Sequence, residues 1–182
     1  MNKVLVVVDM QNDFIDGALA NKSAQKIVSK MASFVSSWNG TIVFTRDTHS
    51  DDYLNTMEGK YLPVPHCLEN TEGWQINKTI LDAATKNKKA RIIFLNKTAF
   101  GAANSLATCI RNVHEEETID EIVMCGTCTD ICVVSNALGI KSILTETPIK
   151  VLASLCAGLT PAKHKAALEV MQSCQIEVLS DD

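Results

Sequence analysis

No stretch of this chain is basic enough to follow a nucleic-acid backbone. Its 182 residues carry 17 Lys and Arg against 21 Asp and Glu, a net charge of −4. The one short cationic run, Lys86-Asn87-Lys88-Lys89-Ala90-Arg91, stands directly before an expected strand. Nucleic acid is therefore not an expected partner. Long apolar runs are missing too: the longest are strand-sized, too short to cross a bilayer. A strand is expected from residue 3 onward, which leaves no stretch for a leader peptide. Disulfide-framework spacing is absent from the seven cysteines, an odd number in a chain able to build its own core. A reducing cytoplasm is the expected setting. Internal repeats, low-complexity segments and linkers are also lacking. The expectation is one domain over residues 1–182.

What is present alternates between two hydrophobic periods. Val4-Leu5-Val6-Val7-Val8 is an unbroken apolar run ending at Asp9, as in a parallel strand buried on both faces. Ile27, Val28, Met31, Phe34, Val35 and Trp38 recur at helical spacing before Gly40. Further strands are expected at 41–45, 91–95, 119–125, 149–153 and 175–179, and further helices at 77–86, 103–113, 130–144 and 161–173. Residues 47–76 form a long connection, and connections of that length are more often functional than idle. This order predicts an α/β fold with a parallel sheet covered on both faces. In such folds ligands bind beyond the carboxyl ends of the strands. Asp9, Asp47, Lys97 and Cys132 all fall at or just after such ends.

The segment Gly126-Thr127-Cys128-Thr129-Asp130-Ile131-Cys132-Val133 links a buried strand to a helix. With Thr129 as N-cap, Cys132 falls in the first helical turn, where unpaired amides and the helix dipole favour thiolate, the attacking form. A small buried hydrophobe is the plainer reading of the same cysteine. Asp9, at the end of a buried strand, needs a partner, and Lys97 is the natural one. A structural Asp–Lys ion pair and a catalytic set are about equally consistent with that spacing. Cys125-Gly126-Thr127-Cys128 is also a C-x-x-C, so a redox dithiol protein is one alternative, and a non-catalytic binding module is another. Cys125 lies in a strand, however, and Cys128 precedes the helix, unlike the placement in redox dithiols. No second cysteine pair offers the spacing of a zinc knuckle. In the long connection Asp47, His49, Glu58 and His66 are two carboxylates and two imidazoles, a donor set that suits zinc, iron or manganese. As bare spacing, a polar loop with two ordinary histidines is the better reading.

Three segments together change these odds. Asp9-Met10-Gln11-Asn12-Asp13-Phe14, Lys97-Thr98-Ala99-Phe100-Gly101 and the Gly126–Val133 stretch resemble the signatures of the isochorismatase-like cysteine hydrolases, from residue 3 to about residue 160. The resemblance implies a three-layer α/β/α fold on a six-stranded parallel sheet. It implies Asp9 as general acid/base, Lys97 as stabiliser of charge and Cys132 as nucleophile. It also implies a cis peptide between Thr127 and Cys128, with the amides of Cys128 and Cys132 as an oxyanion hole. Nicotinamidases of this family hold one divalent metal ion, zinc foremost, on an aspartate, a histidine two residues later and a Pro-His motif. Asp47, His49 and His66 match. The usual middle histidine is absent here, and Glu58 is the candidate in its place. Phe14 and Trp74 are the expected substrate contacts, although core packing and loop anchoring would also account for them. His114 and His164 read as solvated surface residues, and Cys109, Cys156 and Cys174 as core fillers. The expected function is cysteine-dependent hydrolysis of a small amide, nicotinamidase-like. An N-carbamoyl amidase, which shares the triad but lacks the metal, is the alternative within the family. Cys132 argues against a true isochorismatase, which acts on a vinyl ether without a cysteine. A homo-oligomer is left open.

Overall fold

The structure is a computed structural model and describes residues 2–113 and 118–180. Six strands form one parallel sheet: β1 Lys3–Val8, β2 Gly40–Asp47, β3 Ala90–Lys97, β4 Glu121–Thr127, β5 Ile149–Ala157 and β6 Glu177–Leu179, in the order β3-β2-β1-β4-β5-β6. Seven α-helices accompany them among the described residues: α1 Asn12–Ile15, α2 Lys22–Ser37, α3 Met57–Tyr61, α4 Lys78–Lys86, α5 Ala103–Val113, α6 Val134–Ile143 and α7 Pro161–Ser173. Helix α2 packs against α4 and β5, while α5 packs against α6 and α6 against α7, giving a helical layer on each face. This is the three-layer α/β/α arrangement the sequence implied.

The central position of β1 follows from its composition. Val4 through Val8 have no side chain that needs water, and all five are fully buried between β2 and β4. From β1 the chain builds outward to β2 and β3, then returns to the other side of β1 with β4. The strand order therefore reverses between β1 and β4, the place where such sheets open a crevice. Asp9 follows β1 and Cys132 follows β4, so both are delivered to that crevice. Asp9 has φ +49°, a left-handed conformation uncommon outside glycine, which turns the chain sharply off the strand.

Helix boundaries follow local capping chemistry. The Asn21 side chain accepts the Ser23 N–H at 2.8 Å, so α2 begins five residues before the first residue of its apolar stripe. Thr160 accepts the Lys163 N–H at 3.2 Å, and Pro161 opens α7. Three expectations need correction. Strand β5 runs to Ala157 instead of 153, because the pairing to β4 shifts register between Met124 and Gly126 and lets small residues of low strand propensity continue the ladder. Thr129 is not an N-cap: that position belongs to Cys128, and Thr129–Val133 form one π-helical turn before α6. Cys174 is exposed at the end of α7 and fills no core. His114 lies outside the described residues.

Candidate active site

Asp9, Lys97 and Cys132 meet at the crevice. Lys97 Nζ lies 2.7 Å from Asp9 Oδ2 and 3.6 Å from Cys132 Sγ. All three side chains are buried. The other Asp9 oxygen, Oδ1, accepts a 2.6 Å hydrogen bond from the Thr45 hydroxyl, and that hydroxyl accepts the Asp9 N–H at 3.2 Å. Oδ2 has the ammonium as its ion-pair partner and no hydrogen bond of good angle. Burial raises the Asp9 pKa above the ordinary carboxylate value, and the Lys97 charge opposes the rise only in part. Burial would lower the Lys97 pKa, but Asp9, Cys132 and Asp47 outweigh it and push it up, so the ammonium persists. Burial and the neighbouring Asp9 hold the Cys132 pKa well above the ordinary thiol value. This corrects the thiolate expected at a helix start. The resting group is a thiol, and the dipole of a one-turn π segment does not offset near-complete desolvation.

The four metal-ligand candidates also come together. The donor atoms of Asp47, His49, Glu58 and His66 all lie within 4.8 Å of one another. Asp47 Oδ2 is 3.0 Å from His49 Nε2 and 3.6 Å from His66 Nε2, and Glu58 Oε1 is 3.7 Å from both rings. Two imidazoles and two carboxylates this close form a donor set that fits a divalent cation. Each donor has its own support. His66 Nδ1 lies 2.8 Å from the Val64 carbonyl, which turns Nε2 toward the cluster. Glu58 rides on α3, where the Thr56 side chain caps Gly59 N–H at 3.0 Å. Gly59 must be glycine, because a Cβ there would meet the Tyr53 carbonyl oxygen at 2.1 Å. Tyr53 in turn presses its ring against His49 and His66 at centroid distances of 4.7 and 5.0 Å.

Asp47 joins the two groups. Its Oδ1 accepts from Lys97 Nζ at 3.2 Å while Oδ2 faces the imidazoles. Burial alone would raise its pKa, but the bonds to His49 and His66 and the Lys97 charge drive it well below the usual carboxylate range. A cavity of about 510 Å³ opens above the site, lined by Phe14, Asp47, Glu58, His66, Cys128 and Cys132 among others. Phe14 is therefore where the sequence put it, with its ring 5.6 Å from that of His66. Trp74 does not line the cavity. It anchors the long connection: its Nε1 donates to Thr48 Oγ1 at 2.8 Å, and the Arg46 guanidinium stacks 3.8 Å over its ring. His164 is half-buried with Nδ1 2.8 Å from Thr129 Oγ1, so it is not the free surface residue expected. The Thr127–Cys128 peptide is cis. Cys125 is fully buried in β4, and burial raises its pKa far above an ordinary thiol, which speaks against a redox dithiol.

Four supporting residues were not singled out from the sequence. Fully buried Gln11 donates to the Asp47 and Trp74 carbonyls at 2.8 and 2.9 Å and accepts the Asp47 N–H at 2.7 Å, clamping the metal-ligand strand end. Asp13 accepts from Ala18 and Cys67 N–H at 3.1 and 2.7 Å, tying the Phe14 helix to the peptide after His66. Thr45 holds Asp9. Asn136 donates to the carbonyls of Cys132 and Phe100 at 2.8 and 3.1 Å and accepts the Ala102 N–H at 2.8 Å, stapling the loop after Lys97 to the Cys132 turn. Gln11 and Asp13 stood inside a recognised motif, and Asn136 lies one helical turn after Cys132. Their partners are too distant in sequence for spacing to reveal.

Comparison with known proteins bears on the chain as a whole. The isochorismatase domain model matches residues 3–182. A nicotinamidase/pyrazinamidase of Mycobacterium tuberculosis is 24% identical over 97% of this chain and 98% of that protein. The crystal structure of a pyrazinamidase/nicotinamidase from Streptococcus mutans superposes with a TM-score of 0.83 at 28% identity, over 98% of this chain and 100% of that one. A Pyrococcus horikoshii pyrazinamidase solved in complex with zinc gives a TM-score of 0.77 at 25% identity, with both chains fully covered.

Proposed function

The chain belongs to the isochorismatase domain family, and from that premise we propose that it is a nicotinamidase, an amidohydrolase that converts nicotinamide and water to nicotinate and ammonia. The observation that carries this reading is the convergence of Asp9, Lys97 and Cys132 with a four-donor cluster at one cavity. The relatives that cover the whole chain act on small amides by their names, and the zinc-bound neighbour supports a divalent ion. A carbamoyl amidase, which has no need of such a cluster, is not favoured. Residues 1–182 are read as one catalytic domain. The seven free cysteines support a reducing, cytoplasmic setting.

The chemistry follows from the protonation states. Before reaction Asp9 is a carboxylate, Lys97 an ammonium and Cys132 a thiol. The amide carbon of the substrate lies at Cys132 Sγ. As sulfur attacks, the thiol proton passes to Asp9, so thiolate never accumulates and its high pKa is no obstacle. The backbone amides of Cys128 and Cys132 receive the charge that develops on the carbonyl oxygen. Asp9 then gives its proton to the departing nitrogen, ammonia leaves, and the nicotinoyl group is held as a thioester on Cys132. Asp9 next takes a proton from a water molecule as that water attacks the thioester carbon. Collapse passes that proton from Asp9 to sulfur, restores the thiol and frees nicotinic acid, which ionises to nicotinate. Lys97 stays cationic throughout and offsets the negative charge that moves between Asp9 and Cys132. Asp47, His49, Glu58 and His66 would hold the metal ion, zinc first and iron or manganese next. Bound there, it supplies a Lewis acid that fixes the pyridine nitrogen, directly or through water. Phe14 gives the ring an apolar wall.

The test is ammonia release by metal-loaded enzyme from nicotinamide and from benzamide, which lacks the ring nitrogen. The expected kcat/KM ratio exceeds roughly a hundredfold, since a site built for a polar contact rejects the analogue without it. Cys132→Ala should abolish turnover, whereas Cys128→Ala, which keeps its backbone amide, should retain most of it. A ratio near one, or hydrolysis of ureido compounds only, overturns the assignment.

A further inference from the structure

Nine large hydrophobic side chains are exposed among the described residues, and they are not scattered. Five of them, Met57, Tyr61, Leu62, Phe100 and Leu159, collect around the mouth of the candidate site. Tyr61 is 86% and Met57 69% exposed, in a chain with only two tyrosines. Exposed apolar surface on this scale beside a cavity marks contact with something apolar. The surface is also concave. A second hollow of about 800 Å³ adjoins the catalytic cavity, and the two share Glu58, Leu62, Phe100 and Ile131 as a common wall. Each is of the size that accepts a drug-like ligand, so one pyridine ring with its amide does not fill them. The short helix α3 builds both sides: Glu58 faces the metal-ligand cluster, while Met57 and Tyr61 line the second hollow.

We infer that this second hollow is a substrate subsite, and that the enzyme takes pyridine carboxamides bearing an apolar substituent in preference to bare nicotinamide. The inference rests on the proposed function. With the carboxamide carbon at Cys132 and the ring nitrogen at the metal-ligand cluster, two ring positions are fixed against the cavity floor. The ring carbon opposite C2, position 5, then points away from both contacts, toward the mouth. A substituent there passes over the wall formed by Leu62, Phe100 and Ile131. It comes to rest on Met57 and Tyr61, removing apolar surface of protein and substrate from water.

The probe is 5-phenylnicotinamide, compared with nicotinamide by ammonia release. The expected result is a KM at least about tenfold lower for the phenyl compound, as burial of a phenyl group allows. In the double variant Met57→Asp, Tyr61→Ser that advantage should disappear. Both positions are solvent-exposed, so the variant is expected to fold. If nicotinamide is hydrolysed and the phenyl compound is not, or if the double variant keeps the full advantage, the subsite is refuted and the nicotinamidase assignment stands. If neither amide is hydrolysed, the assignment fails, and calorimetric binding of the same two compounds decides the subsite. Tenfold tighter binding of the phenyl compound, lost in the double variant, supports it; equal binding refutes it.

Discussion

Lys97 is the residue on which the two halves of the site depend. One ammonium touches the acid/base candidate, the nucleophile candidate and a metal-ligand candidate, at 2.7, 3.6 and 3.2 Å. A buried cation among two carboxylates is tolerated because each charge has a partner. The balance sets the pH response. In the proposed reaction Asp9 is ionised when it accepts the Cys132 proton, so kcat/KM should fall as pH drops through its folded-state pKa. Burial places that pKa above the ordinary 3.8, and the Thr45 hydrogen bond is among the contacts that hold it down. Thr45→Val keeps the shape and removes that bond, so the acid limb of kcat/KM should move to higher pH while the plateau is largely kept. A limb that stays put or moves lower in a pH–rate profile would show that another group governs it. Sequence could suggest Asp9, Lys97 and Cys132 because strand ends and a helix start are local patterns. It could not give Thr45, whose value lies in a bond across 36 residues, nor the sign of the Cys132 shift, which follows from burial.

At the scale of elements, the tight crossing is where β4 passes β1 just before the Cys132 turn. Gly126 has φ +125°, and a Cβ there would stand 2.1 Å from the Val8 carbonyl oxygen. Glycine is required on both counts. Gly126→Ala should destabilise the protein by at least about 3 kcal/mol, read as a lower urea midpoint, and should lower activity in the folded fraction because the Cys132 turn begins beside it. A loss below ~1 kcal/mol would mean that the strands separate easily. Among the long elements, β1, β2 and the body of α2 fall where the apolar residues put them, while the start of α2 follows its Asn21 cap. The short ones were not legible. Helices α1 and α3, of four and five residues, have too few turns to show a period. They exist because tertiary bonds hold them, such as Asn12 N–H to Gln75 C=O at 2.9 Å. Both carry site residues, so the least legible elements position Phe14 and Glu58.

On the scale of the whole molecule, the long connection of residues 47–76 is held to the sheet by the Gln11 clamp, the Asp13 bonds, the Trp74 anchor and the ligand cluster itself. A divalent ion bound only by the folded state adds stability by mass action, about 2.7 kcal/mol at a hundredfold excess over Kd. For a chain of this size that corresponds to a Tm rise on the order of 5–10 °C. Removal of metal with a chelator should lower Tm by that amount, and zinc should restore it. In Asp47→Asn the chelator should have no effect. An unchanged Tm in the parent protein would argue that the four donors do not hold a metal.

The strand order also bears on how the protein comes into being during synthesis. Every candidate metal donor lies between residues 47 and 66, and Lys97 follows at the end of β3. Cys132 comes only after β4, the strand that covers the second edge of β1. A growing chain therefore completes its candidate metal donors while β1 still has an open, apolar edge, and it gains Cys132 only afterwards. The proposed chemistry is thus tied to closure of the central sheet: a chain cut short before β4 holds the candidate metal donors and Lys97 but no Cys132 for them to serve.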